Sequence, residues 1–308
     1  MTITSPPSRT ARRPSRRAPL AGIGHFLAFG APGLLLYLGL VLVPVIMSVR
    51  SSLTDENPLH RSTRYTGLAN YRELLGDPAF HRALGNTVIV TAIVVVVPNV
   101  LGLGVAILLD RRGRLYHALR AVFFTPVVLS SVVVSVIWQA LLTDDGMVNS
   151  LLRSAGVDHP PGWLSDPSIA LYSVASIIAW QMLGFCVVVY LAGLQGVPPE
   201  LHEAAALDGA GAGGRFRHVT WPMLAPAVTI NTVMLLITAF KAYDHIQVIT
   251  NGGPGDGTTA TIAFSVVTTA FTGNRIGYAA AMSTVMLALV AAISVLALRF
   301  LQRREVNL

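Results

Sequence analysis

Residues with chemistry to offer cluster in two places. The stretch FKAYDHIQ, Phe240 to Gln247, holds the only lysine of the chain, Lys241, three residues before Asp244, with Tyr243 between them and Gln247 three further on. An ionisable side chain within or beside an apolar segment is costly and is therefore by default a functional candidate. At that spacing Lys241 and Asp244 can pair on one face of a helix. The competing reading is an interfacial anchor, with Lys241 reaching the membrane surface, Asp244 as its counter-ion and Tyr243 in the aromatic belt. The second place is PPELHEAAALDGAGAGGRFRHVTWP, Pro198 to Pro222, a polar, small-residue stretch between two apolar ones. Glu203 and Asp208 offer carboxylates to basic partners there, and the alanines let another backbone approach closely. An ordinary connecting loop would look similar.

Other chemistries are excluded by missing residues. A P-loop needs Gly-x-x-x-x-Gly-Lys-Ser/Thr, and Lys241 is flanked by Phe240 and Ala242, so any ATP must be hydrolysed by another chain. The HEAAA at His202 lacks the second histidine of a zinc helix. One cysteine, Cys186, permits no internal disulfide and reads as an apolar packing residue. No catalytic constellation is present, and the dispersed histidines read as interfacial or structural.

The elements that must carry these residues are set by hydropathy. The composition is 53% hydrophobic and 12% charged, with a mean hydropathy of +0.61, against ~25% charged in soluble domains. Six apolar runs approach the ~20 residues that cross a bilayer as a helix: Phe26–Val49, Asn86–Leu109, Ala121–Leu142, Ile169–Leu194, Met223–Ile246 and Gly277–Leu301. The first is too long for a signal-peptide core and reads as an uncleaved helix. The expected fold is an all-α membrane protein of six transmembrane helices. Residues 1–25 are expected to be a basic, disordered cytoplasmic tail, 26–303 the transmembrane domain and 304–308 a short cytoplasmic C-terminal tail. Pro98 and Pro126 fall inside spans, where they kink the helix or are tolerated.

Arginine placement orients the bundle. With the N-terminus inside, fourteen arginines lie on the cytoplasmic side and seven on the other, so both termini are expected in the cytoplasm. The basic charge then reflects topology and calls for no nucleic-acid partner. This orientation places Pro198–Pro222 in the cytoplasm, between spans four and five. Pro198 and Pro199 suit a helix start, GAGAGG breaks the helix, RFRHVTW allows one or two more turns and Pro222 opens the next span.

That stretch resembles the EAA signature of permease subunits of binding-protein-dependent ABC importers: Glu203, Ala204, Ala205, then Gly209, Val219, Trp221 and Pro222 at the family's spacing. The family more often has Ile and Leu where Val219 and Trp221 stand, and GAGG after Ala210 is more glycine-rich than usual. The segments Thr66–Thr87, Phe240–Gly255 and Tyr278–Met286 are similar to those of carbohydrate-type permeases of the maltose and glycerol-3-phosphate kind. The resemblance runs from about residue 26 to 303.

The resemblance implies a coupling helix that docks in a cleft of a cytoplasmic ATPase. Glu203 would meet a basic residue, Gly209 would make the turn, and Ala204, Ala205, Asp208, Ala210, Phe216 and Pro222 would complete the docking element. It implies a heterodimer with a sister permease, two ATPase copies that use ATP and Mg, an external solute-binding protein and a bacterial cell membrane. This chain would bind no cofactor. Leu183, Gly184 and Phe185 of span four, with Phe240, Lys241, Tyr243, Asp244 and Gln247, would line a pathway for a sugar or related polyol or glycoside. Trp180 and Gln181 lie one turn away, where helix packing explains them equally well. Two alternatives remain from the residues themselves. An ion-coupled secondary transporter would need intramembrane carboxylates, and apart from Asp244 the spans hold almost none. A non-transport sensor or assembly subunit would need no cytoplasmic signature.

Overall fold

The computed structural model describes residues 30–303 except 61. The tails expected at 1–25 and 304–308, and the first residues of the first span, lie outside the described residues. The chain divides into two units, Met1–Ser48 and Val49–Leu308. The first ends within an apolar helix, α1 (Ala31–Ser51). All the other described helices belong to the second.

They begin with α2 (Ala69–Gly76), α3 (Pro78–Leu109), α4 (Arg114–Val128), α5 (Ser131–Leu142), α6 (Met147–Ser154), α7 (Ala170–Gln195) and α8 (Pro199–Leu207). They continue with α9 (Ala212–Met223), α10 (Ala225–Phe240), α11 (Asp244–Ile249), α12 (Ile262–Thr272) and α13 (Ile276–Gln302). Among the described residues five helical stretches are long and apolar enough to cross a membrane, or six if the bent pair α9 and α10 is one span. The all-α expectation holds, with three corrections to the spans.

The second span starts at Pro78, not Asn86. Asp77 accepts from the Ala79 amide at 2.8 Å and Pro78 occupies the first helical position, where a missing N–H costs nothing. Polar residues in this first turn kept it out of the apolar count.

The third span is not one helix over Ala121–Leu142. Leu129 is extended (ψ 144°), and Ser130 caps the new helix by accepting from the Val133 amide at 3.3 Å. Pro126 is accommodated inside α4.

The fifth span, expected over Met223–Ile246, is interrupted at both ends. A 59° bend separates α9 from α10. Pro226 has no N–H to give the Pro222 carbonyl, so the ladder fails there. The next helix therefore begins at Ala225, after Pro222 and not on it. At the far end α10 stops at Phe240, Lys241 occupies the cap, and α11 begins only at Asp244.

The core lies around α7, which packs against α3, α4 and α10, with Val174, Ile178 and Tyr190 among its fully buried side chains. Cys186 is buried and unpaired, in keeping with a packing role. In lipid such helices associate by close van der Waals fit, because tails are as apolar as the side chains they would replace. Gly184 provides the tightest approach on α7. A Cβ there would sit 2.1 Å from the Phe123 carbonyl oxygen and 2.9 Å from the Phe124 Cα, so α7 and α4 touch backbone to backbone.

The two ends of α10 define the two ends of this unit. At its start, Leu224 and Ala227 meet Gly193 of α7, next to α8. At its finish, Thr261 donates to the Ala242 carbonyl (3.0 Å) and the Ile262 amide donates to Thr87 of α3 (3.0 Å). The second end is heavily cross-tied. The Asn86 side-chain amide donates to the carbonyls of Thr258 and Ala260, Arg275 Nη2 donates to both carboxylate oxygens of Glu73 at 2.7 Å, and the Tyr278 hydroxyl donates to Asp77 at 2.6 Å. Burial acts to raise the Asp77 carboxyl. The Tyr278 hydroxyl, the Ala79 and Phe80 amides and the Arg275 charge outweigh it and hold the group below its ordinary range.

Candidate functional site

The first cluster is built on α8. Pro198 is extended and Pro199 opens the helix. Its end is closed by two bonds, from the Gly209 amide to the Ala206 carbonyl (3.1 Å) and from the Ala210 amide to the Ala205 carbonyl (2.9 Å). Gly209 sits at φ +80°, the left-handed conformation that such a Schellman closure demands and that glycine adopts without penalty. The turn is thus a defined structure rather than a slack hinge. Glu203, Ala204 and Asp208 are exposed, Ala205 and Ala210 half-buried. Leu207 beside them is 90% exposed, a large apolar side chain facing outward at the end of a helix that carries Glu200 and Glu203 and is capped by Asp208. The chain then continues through Phe216, whose ring lies 6.4 Å from that of Trp221, to Pro222 at the bend.

The second cluster lies in the break after α10. Lys241 and Asp244 do not pair: they belong to different segments, because the helix that would have aligned them ends at Phe240. Asp244 instead accepts from Ser131 Oγ at 2.7 Å. Among the described residues the ion pairs are Arg153 with Asp145 and Arg275 with Glu73. Tyr243 stacks on Phe264 (centroids 6.3 Å apart) and donates to Gln247 Oε1 at 3.3 Å, and Gln247 donates to Asn251 at 2.9 Å. The expected pathway residues therefore separate. Lys241 and Asp244 are exposed, Tyr243, Gln247, Leu183 and Phe185 half-buried, while Phe240 (2% exposed) and Gly184 are packed in the interior.

What joins the α7 stretch to the α11 stretch is a pair of residues outside those assignments. Gln181, 3% exposed, donates to the Leu129 carbonyl (3.0 Å), the group freed by the break between α4 and α5, and its Oε1 lies 2.8 Å from His245 Nε2. One amide thus satisfies three elements. The available signal was an amide and an imidazole at membrane depth, which must find partners. Replacing Gln181 by Leu leaves a buried carbonyl and a buried imidazole unpaired, at about 1–3 kcal/mol. The expected result is a melting temperature lower by about 2–10 °C, read by thermal unfolding of the purified protein; an unchanged value would show that the bonds carry no stability.

Comparison with known proteins fits this architecture. Residues 82–306 match the family described as binding-protein-dependent transport system inner membrane component. The probable starch degradation products transport system permease AmyD of Thermoanaerobacterium thermosulfurigenes is 30% identical, over 93% of this chain and 97% of its own. The lactose transport system permease LacF of Rhizobium radiobacter is 32% identical, over 90% and 93%. Among solved structures, a bacterial ABC transporter for import of the polysaccharide alginate has a chain that superposes with a TM-score of 0.79. It covers 92% of this chain and 98% of its own at 21% identity, a likeness of fold. With the family match, relatives aligned over most of both chains and several helices long and apolar enough to cross a membrane in agreement, the chain belongs to the inner membrane components of binding-protein-dependent transport systems and is a multi-pass permease of the inner membrane.

Proposed function

We propose that this chain forms half of a carbohydrate pathway in an ATP-driven importer, coupled to a separate ATPase through α8. The observation that carries the coupling is the outward-facing edge of α8, where Leu207 is 90% exposed beside exposed Glu203 and Asp208. An apolar knob flanked by carboxylates suits a cleft with an apolar floor and a basic rim. The substrate class rests on the carbohydrates named for AmyD and LacF. In this reading both termini and α8 are cytoplasmic, and the chain binds no cofactor, ATP and Mg being used by the two ATPase copies. A sister permease supplies the other half of the pathway, and a solute-binding protein docks outside.

Roles for the individual residues come from their positions. Lys241, Tyr243, Asp244 and Gln247 form a polar lip at the break after α10, offering charge, hydroxyl and amide groups next to a ring, with Leu183 and Phe185 on the neighbouring helix. Phe240 and Gly184 hold these elements in place and do not touch the sugar. ATP binding drives the cycle only by favouring one conformation of the permease pair over the other.

The test is purification of the chain from its native membranes in mild detergent. The expected result is co-purification of a P-loop ATPase and a second permease, and ATP-dependent uptake of a radiolabelled disaccharide once the complex is in proteoliposomes with its binding protein. Recovery of the chain alone, with ion-gradient-driven uptake, would establish the secondary transporter instead.

A further inference from the structure

A cleft of about 810 Å³ opens between the start of α3, the 256–260 loop, α12 and the start of α13. That volume lies within the ~300–1,000 Å³ of small-molecule sites. It belongs to the cross-tied end of the second unit. One wall is α12, where Ser265, Thr268, Thr269 and Thr272 all line the cleft. Ser265, Thr268 and Thr269, three and four residues apart, share one helical face, and Thr272 extends the wall in the wider π-helical turn that ends α12. Among the described residues the hydroxyls of Ser265, Thr269 and Thr272 make no side-chain hydrogen bond, whereas Thr268 donates back to the Phe264 carbonyl. The opposite walls present Asp77, Arg82, Asp256 and Arg275, with the Tyr278 ring below.

The cleft carries two carboxylates, Asp77 and Asp256, against two guanidiniums, Arg82 and Arg275. Arg275 is held by Glu73 and lies over the Tyr278 ring at 4.3 Å, and Arg82 donates to the Asp256 carbonyl. A phosphate or carboxylate ligand would face the two acidic side chains, with Arg275 already paired to Glu73 and Arg82 tied to a backbone carbonyl. A neutral polyol meets none of that repulsion, since its hydroxyls both donate and accept, and an aromatic ring suits its C–H face. One ring of the cleft wall also borders the pathway lip. Phe264 lines the cleft and stacks on Tyr243.

We propose that this cleft is a second saccharide subsite, taking a neutral sugar unit on its way to the lip at Tyr243 and Gln247. The subsite rests on the carbohydrate reading of the importer. It holds the sugar through the Ser265, Thr269 and Thr272 hydroxyls, with Asp77 and Arg82 at the rim.

The test uses the complete transporter in lipid nanodiscs without its binding protein, probed with radiolabelled maltose and lactose by equilibrium binding, and in proteoliposomes with the binding protein for uptake. The double variant Thr269→Val, Thr272→Val keeps shape and removes two hydroxyls, Thr269→Phe fills the space, and Thr269→Ser is the control. The double variant is expected to weaken direct binding at least fivefold and raise the KM for uptake by a similar factor. Thr269→Phe is expected to lose the cleft component of binding, and Thr269→Ser to behave as wild type. Binding and KM at wild-type values in both the double and Phe variants would overturn the subsite while leaving the importer intact. So would a phospholipid retained by the wild type and lost from Thr269→Phe in native mass spectrometry. A wild-type complex that imports no saccharide would overturn the carbohydrate reading itself, and the subsite with it.

Discussion

Gly209→Val is expected to uncouple the transporter without unfolding it. Gly209 closes α8 at φ +80° with open space around its Cα. Sterics from neighbours are thus absent, and the penalty is one of backbone conformation. A non-glycine residue in the left-handed region costs about 1–2 kcal/mol, and a β-branched side chain stands at the upper end. The cost is relieved by opening the Schellman closure, which frees the carbonyls of Ala205 and Ala206 and lets α8 turn away from the direction in which it presents Glu203 and Leu207. At about 1.4 kcal/mol per factor of ten, ATP-driven uptake should fall roughly 5- to 30-fold, with the membrane domain still melting as wild type. Gly213→Ala is the matched comparison. It sits in the first turn of α9 with nothing within 4 Å of its Cβ position, where alanine is a better helix former than glycine by about 1 kcal/mol. Its uptake should equal wild type. Equal uptake by Gly209→Val would show that the turn does not set the docking geometry.

Gly184→Ala is expected to act in the opposite manner, through stability. The added carbon would lie 2.1 Å from the Phe123 oxygen and 2.8 Å from the Phe123 carbonyl carbon. Both are backbone atoms, so no rotamer change relieves the overlap and α4 must shift along its length. Overpacking costs about 1–3 kcal/mol where side chains can adjust, and a clash between helix backbones belongs at or above that range. Thermal unfolding of the purified complex should drop by about 5–10 °C, and less chain should reach the membrane in a monodisperse form. Gly85→Ala in α3, where no atom lies within 4 Å, should leave both measures unchanged. The outcome distinguishes packing from a pathway role: reduced sugar affinity with an unshifted melting temperature would place Gly184 on the pathway and remove it from the helix contact.

Sequence and structure divide these features in a regular way. Spans four and six were legible to within a residue, Ile169–Leu194 against Ala170–Gln195 and Gly277–Leu301 against Ile276–Gln302. An apolar helix in lipid needs nothing beyond its own composition to be specified. The same holds for α8 and its closure, because Pro-Pro at the start and Gly209 at the end are local signals. The α3 start at Asp77-Pro78 was equally local, though a count of apolar residues passes over it.

Tertiary structure decided where spans break and which polar groups meet. Ser130 can cap a helix, and a break at Leu129 becomes tolerable at membrane depth once Gln181, 52 residues away, takes the freed carbonyl. Lys241 and Asp244 looked like a helical pair because spacing assumes a continuous helix. Thr261 and Thr87 tie the chain down beyond Phe240, and Asp244 turns to Ser131. The hydroxyl face of α12 was passed over because its threonines dilute the hydropathy of a short helix, and the cleft it lines exists only when α3 and α13 close against it. Composition, caps and motif spacing are properties of neighbours along the chain, so the sequence by itself determined the membrane class, the family and the short helix α8 with its closure. Breaks, cross-ties and the cleft depend on residues from about 50 to 200 positions apart satisfying one another where water is scarce, and that condition is met only in the packed bundle.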